Sequence, residues 1–125
     1  MAKRVMLAED EPNIVESLSF LLERSGFEIA VHTDGSSALN DALTQPPDLL
    51  ILDVMLPEMD GFEVLRKLRA DARGKSLPVI MLTAKGQRED REAAHAAGAD
   101  MFITKPFANA DVIEAVRSLA DGRPG

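Results

Sequence analysis

Strand-like and helix-like segments alternate five times along this 125-residue chain, which predicts an α/β protein with a parallel sheet, because each strand must return through a right-handed helical crossover. The runs Val5-Met6-Leu7-Ala8, Leu49-Leu50-Ile51-Leu52 and Val79-Ile80-Met81-Leu82 are continuously apolar, as strands covered on both faces are. Glu28–His32 alternates and Met101–Thr104 is short, as edge strands are. With the first, third and fourth strands central, the fold class is a doubly wound (βα)5 arrangement with a five-stranded sheet in the order 2-1-3-4-5.

The elements follow in turn. After the first strand, Ile14, Val15, Leu18, Leu21 and Leu22 recur at helical spacing between Pro12 and Arg24, with Pro12 in the first turn and Gly26 past the end. Ile29 and Val31 give the second strand one covered face. From Ser36 to Thr44, Ala38, Leu39, Ala42 and Leu43 share a helix face, and Phe62, Leu65 and Leu68 mark the third helix. A polar, Ala-rich helix is expected over Gln87–Ala97, offering the core Ala93, Ala94 and Ala97 and closed by Gly98. The last helix, Ala110–Leu119, turns Val112, Ile113, Val116 and Leu119 inward. Residues 1–120 form one domain and 121–125 a C-terminal tail or linker stub.

Composition narrows the function classes. There are no cysteines, so thiolate chemistry and disulfides are excluded. The chain lacks an apolar stretch of transmembrane length and a signal-peptide pattern at Met1-Ala2-Lys3-Arg4, and it is read as cytoplasmic. A net charge of −7 argues against direct nucleic-acid binding and against an anionic membrane. Arg66, Lys67, Arg69, Arg73 and Lys75 form a small basic cluster, read as a solvated helix flank.

The polar residues gather where the strands end. Glu9 and Asp10 follow the first strand, Asp53 the third, Thr83 the fourth and Lys105 the fifth. All carboxyl ends of a parallel sheet lie along one edge, where ligands bind. Neighbouring strands lie roughly 4.8 Å apart, so Asp10 and Asp53 can share one cation. Singly, Asp10 reads as a helix cap, Asp53 as a turn former, Thr83 as a strand end and Lys105 as a surface lysine. Jointly, three carboxylates, a hydroxyl and an ammonium exceed what capping needs. Clustered carboxylates repel and call for a hard cation; oxygen ligands and water suit Mg²⁺. A carboxylate beside such a cation, with an ammonium opposite, is equipped to attack a phosphoryl group.

The segments "LAEDEP" (7–12), "LDVMLPEMDGFE" (52–63), "MLTAKG" (81–86) and "ADMFITKPF" (99–107) stand in the order and spacing of one family. The chain resembles the receiver domain of two-component response regulators over residues 3–120, CheY-like and flavodoxin-like in fold. The resemblance implies that Asp53 is the phosphoacceptor and that Asp10, Asp53 and the backbone carbonyl of Met55 bind Mg²⁺ directly, with Glu9 acting through metal-bound water. It assigns Thr83 and Lys105 to the phosphoryl group, Thr83 and Phe102 to the switch, and a cis bond to Lys105–Pro106. Phe102 stands where the family often has Tyr, and Glu9 where it often has Asp. Pro57 stiffens the loop after Asp53, and Gly61 turns it into the third helix.

The implied function is a phosphorylation-activated signalling switch that catalyses only its own phosphorylation and dephosphorylation. Its expected partners are a sensor histidine kinase or histidine phosphotransfer protein, docking near Asn13, Ile14 and Ser17. Output is expected through the fourth helix, fifth strand and fifth helix, to a downstream protein or a second copy. Lys105 is expected to matter more for switching than for folding. Alternatives are a phosphorelay intermediate or phosphate sink, and a haloacid-dehalogenase-type phosphohydrolase. The last wants a general-acid Asp where Met55 stands. A flavodoxin-like carrier is disfavoured by the anionic "AEDEPN" loop, and the "GKS" at 74–76 lacks the upstream Gly of a P-loop. A stand-alone receiver and the N-terminal part of a longer regulator both remain open.

Overall fold

The structure, a computed structural model, describes residues 3–84 and 88–120. Gln87, where the fourth helix is expected to begin, and the tail 121–125 lie outside the described residues. The elements are β1 (Arg4–Ala8), α1 (Pro12–Arg24), β2 (Glu28–His32), α2 (Gly35–Thr44), β3 (Leu49–Asp53), α3 (Gly61–Ala70), β4 (Val79–Thr83), α4 (Arg88–Ala97), β5 (Met101–Thr104) and α5 (Asn109–Ala120). All pairings are parallel, in the order β2-β1-β3-β4-β5.

Alternate residues of the three central strands feed two cores, one on each side of the sheet. Met6, Ala8, Leu50, Leu52, Val79 and Met81 pack under α2, α3 and α4, against Ala38, Ala42, Val64, Leu65, Leu68 and Ala94. Val5, Leu7, Leu49, Ile51, Ile80 and Leu82 pack against Leu18 and Leu22 of α1 and Val112, Ala115 and Val116 of α5. Each large aliphatic side chain buried this way contributes about 1.5–3 kcal/mol. This two-sided burial explains the continuous apolar runs. On the β2 edge, Ile29 is half-buried and Val31 exposed, so that strand is only partly covered.

Local chemistry fixes several helix starts. Pro12 occupies the first turn of α1, whose N-cap position is Glu11 and carries no side-chain cap. Asp10 is therefore not a helix cap. Asp34 and Asp60 are caps: Asp34 Oδ1 accepts from Ser37 N at 2.8 Å and Asp60 Oδ1 from Glu63 N at 3.0 Å. Two other readings need correcting. On α4, Ala94 is buried and Ala97 half-buried, but Ala93 faces out; a methyl group is small enough for either side. Arg69 is not part of a solvated flank. It donates to the carbonyls of Gly74, Leu77 and Gly98 at 2.7–3.0 Å and reaches Asp100 at 3.2 Å.

Candidate functional site

The strand ladder delivers the acidic residues. Ala8 pairs with Leu52 across β1 and β3, so Glu9 and Asp53 leave adjacent strands together at the point where the chain's direction of travel across the sheet reverses. Glu9 N donates to His32 O at 3.0 Å, extending the ladder one step past β1. Carboxylate oxygens of Glu9, Asp10 and Asp53 all lie within 4.8 Å of one another. Glu9 and Asp53 are buried, whereas Asp10 is exposed and has no hydrogen bond or ion pair among the described residues.

Lys105 bridges the two buried carboxylates, its Nζ 2.9 Å from Glu9 Oε1 and 3.1 Å from Asp53 Oδ2. Its backbone is fixed by Lys105 N donating to Thr83 O at 2.7 Å, and its bond to Pro106 is cis, as the resemblance implies. Burial opposes the Lys105 charge, but the two carboxylates outweigh it and hold its pKa above the usual lysine value. Burial pushes the Glu9 carboxyl up; Lys105 and the Glu11 N–H, at 3.0 Å from Oε2, pull back only part of the way. The second oxygen of Asp53, Oδ1, accepts from Met55 N at 3.2 Å.

These residues fit a divalent cation. Three carboxylates converge on one point, and Glu9 Oε1, although close to the ammonium, has no hydrogen bond of good geometry. One ammonium leaves this cluster two charges short of neutral, which is the condition a hard cation relieves. A cleft of about 670 Å³ opens beside the cluster, lined by Glu9, Asp10, Asp53, Met55, Pro57 and Lys105 among others. Asp60 and Ala84 also line it, and neither stood out in the sequence, because an N-cap and a small residue after a strand have ordinary explanations.

The other expected site residues are placed as follows. Thr83 ends β4 level with Thr104, but it is buried, and the cleft wall there is Ala84. Phe102 is half-buried against the α4-side core, with the Arg91 guanidinium 5.9 Å from its ring centroid. Asn13 and Ser17 are exposed on α1, and Ile14 is half-buried. The three line a groove of about 540 Å³ that also includes Lys105, Pro106 and Phe107, next to the acidic cleft. Gly61 is required for a reason other than turning: a Cβ there would overlap the carbonyl oxygen of Asp53.

A parallel sheet wound this way, with an acidic cluster and a lysine at its switch point, is the architecture of a CheY-like receiver domain. The chain belongs to the response regulator receiver domain family, which it matches over residues 5–117. It is 46% identical over 115 residues to the probable transcriptional regulatory protein TcrX of Mycobacterium tuberculosis, covering 92% of this chain and 48% of that one. It is 41% identical to the alkaline phosphatase synthesis transcriptional regulatory protein PhoP of Bacillus subtilis, covering 95% of this chain and 49% of that one. The chain thus spans about half the length of these relatives. Among solved structures it resembles the receiver domain of the sensor histidine kinase PA1611 of Pseudomonas aeruginosa, which holds a magnesium ion in its active-site cleft. The TM-score is 0.89 at 29% identity, over 97% of this chain and 99% of that one.

Among the described residues, no helix is long and apolar enough to cross a membrane.

Proposed function

We propose that this receiver accepts a phosphoryl group on Asp53, with Mg²⁺ bound, from a histidine kinase or a histidine phosphotransfer protein. The observation that carries the reading is the ammonium of Lys105 shared between two buried carboxylates beside an open acidic cleft. Asp10, Asp53 and the Met55 carbonyl would hold the cation, with Glu9 behind a bound water. Once bound, it supplies positive charge to the phosphoryl oxygens as they pass through the transition state.

The protein's own groups divide the remaining work. An Asp53 carboxylate oxygen forms the new bond to phosphorus while the donor leaves in line with its bonding electron pair. Lys105 Nζ exchanges Asp53 Oδ2 for a phosphoryl oxygen, so its charge follows the incoming negative charge. The Thr83 hydroxyl, buried at the end of β4, is drawn toward that oxygen and hydrogen-bonds it. Phe102 on β5 fills the space that this movement leaves. The consequence is a changed α4–β5–α5 face, offered to a downstream protein or a second copy. The groove at Asn13, Ile14 and Ser17 lies next to Lys105 and suits the donor protein, because a partner seated there can reach the cleft.

The test is mass spectrometry of intact protein after incubation with acetyl phosphate. One added phosphoryl group is expected with Mg²⁺, and none with a chelator or in Asp53→Asn. Equal labelling of Asp53→Asn would remove Asp53 from its role.

A further inference from the structure

We infer that Gly35, at the start of α2, is a positioning residue for the metal-binding loop, acting through Pro57 and Met59. The inference rests on the reading of Asp53 and Met55 given above. The loop from Val54 to Asp60 is closed at its base by Gly61 N donating to Val54 O at 2.9 Å. Its tip is organised on one atom, the Pro57 carbonyl oxygen. That oxygen accepts from Met59 N within the loop at 2.8 Å and from Gly35 N outside it at 3.1 Å.

Between those contacts Glu58 takes φ +70°, a left-handed conformation that a residue with a side chain holds only where its surroundings impose it. Gly35 supplies that constraint by contact as well as by hydrogen bond. It is buried, and a Cβ added to it would overlap the Met59 carbonyl oxygen and lie 2.7 Å from the Met59 carbonyl carbon. The α2 backbone and the loop backbone therefore meet with no room for even a methyl group.

The start of α2 is itself held firmly. Ser37 Oγ donates to Asp34 Oδ2 at 3.0 Å and lies 3.1 Å from His32 Nδ1, whose Nε2 is 2.8 Å from Asp41 Oδ2. His32 O in turn accepts from Glu9 N. One rigid corner thus supports both the acidic strand end and the loop facing it. Displacing the loop tip shifts Met55 to Pro57, the segment that lines the cleft and carries the carbonyl ligand.

The alternative is that Gly35 merely lets α2 start close to its neighbour, so its replacement would cost stability alone. Gly26→Ala is the control, since Gly26 has φ +96° but nothing within 4 Å of where a Cβ would stand. It should lose stability through backbone strain far from the loop. Mg²⁺ titration calorimetry on the full chain should give Gly35→Ala a dissociation constant about tenfold higher than wild type, the low end for loss of support behind a metal ligand. Gly26→Ala should bind as wild type does. Amide exchange across 54–60 without metal should quicken in Gly35→Ala and not in Gly26→Ala.

If Gly35→Ala does not fold, Asp34→Ala frees the start of α2 without a clash and should weaken Mg²⁺ in the same direction by less. Wild-type affinity in a folded Gly35→Ala, or unchanged exchange across 54–60, overturns the inference. A wild type that binds no Mg²⁺ and takes no phosphoryl group would instead refute the underlying reading, and the metal-free exchange would still decide the role of Gly35.

Discussion

The two ends of the sheet carry the same kinds of side chain in opposite conditions. At the amino end of β4 and β5, Arg69 meets Asp100: its guanidinium donates to four backbone carbonyls as well, and Asp100 Oδ2 also accepts from Val79 N at 2.8 Å. One cation faces one anion, and backbone groups take up the remaining capacity. At the carboxyl end Lys105 pairs with two of three clustered carboxylates, leaving Asp10 without a partner among the described residues and Glu9 with a misaligned oxygen. Burial of the cation does not set the two ends apart, because Arg69 and Lys105 are both half-buried and each end includes an exposed carboxylate, Asp100 or Asp10, although Glu9 and Asp53 are buried. The distinction is charge balance and hydrogen-bond satisfaction. A saturated cluster holds elements in place, whereas an unbalanced one stores repulsion that a cation or phosphoryl group can relieve.

The strongest way to break this comparison is at the saturated end. Arg69→Ala should cost about 3 kcal/mol, because several charge-assisted hydrogen bonds go and the carbonyls of Gly74, Leu77 and Gly98 lose their donor. The cleft lies at the other end of the strands, so Mg²⁺ affinity should stay at the wild-type value. Urea denaturation with Mg²⁺ titration on the same variant checks both halves. If Arg69→Ala loses metal affinity without losing stability, the division of roles between the two ends is wrong.

Lys105 sharpens the comparison because it stands between the two cases. The sequence alone suggests that it matters little for folding, as it sits among mutually repulsive carboxylates. Its ion pairs to Glu9 and Asp53 give it a structural share that this reading omits. Lys105→Ala should therefore destabilise the metal-free protein by about 1.5–3 kcal/mol, the loss of a hydrogen bond between charged groups. Mg²⁺ should restore more stability to this variant than to wild type, since it replaces the missing positive charge. Thermal melts at several Mg²⁺ concentrations read this directly. Equal shifts in both proteins would mean that cation and lysine do not answer the same charge.

What could be read from the sequence follows from which features have a period or a fixed place. The strand order was legible because burial on both faces leaves uninterrupted runs such as Leu49 to Leu52. The meeting of Glu9, Asp10 and Asp53 followed from that order alone. Arg69 could not be recognised, because an arginine that donates to five groups is written with the same letter as a solvated one. Nothing local to Gly35 reveals that Met59 passes against it. Glu58 carries no sign of its positive φ, and Ala93 and Ala94 differ only in which side of α4 they occupy. Thr83 stands at the expected strand end, but a strand-end position does not tell which side chain, Thr83 or Ala84, lines the cleft.

The smallest expected effect has the most distinctive sign. Asp10 is exposed, without a partner among the described residues, and its carboxylate lies near those of Glu9 and Asp53. Without a cation it contributes only repulsion, so Asp10→Asn keeps the shape of the side chain and removes an unfavourable charge. The metal-free variant should be more stable than wild type by roughly 0.5 kcal/mol, within the range for exposed charge pairs. Salt should reduce the gain, because an exposed charge is screened. The same change deletes one of the anionic oxygens available to a cation, so Mg²⁺ should bind Asp10→Asn more weakly and stabilise it less. The stability order of the two proteins should therefore reverse as Mg²⁺ rises, a crossing that melts across a Mg²⁺ series can detect. A residue that only shaped the loop before α1 would lose stability at every Mg²⁺ concentration, and that result would take Asp10 out of the metal site.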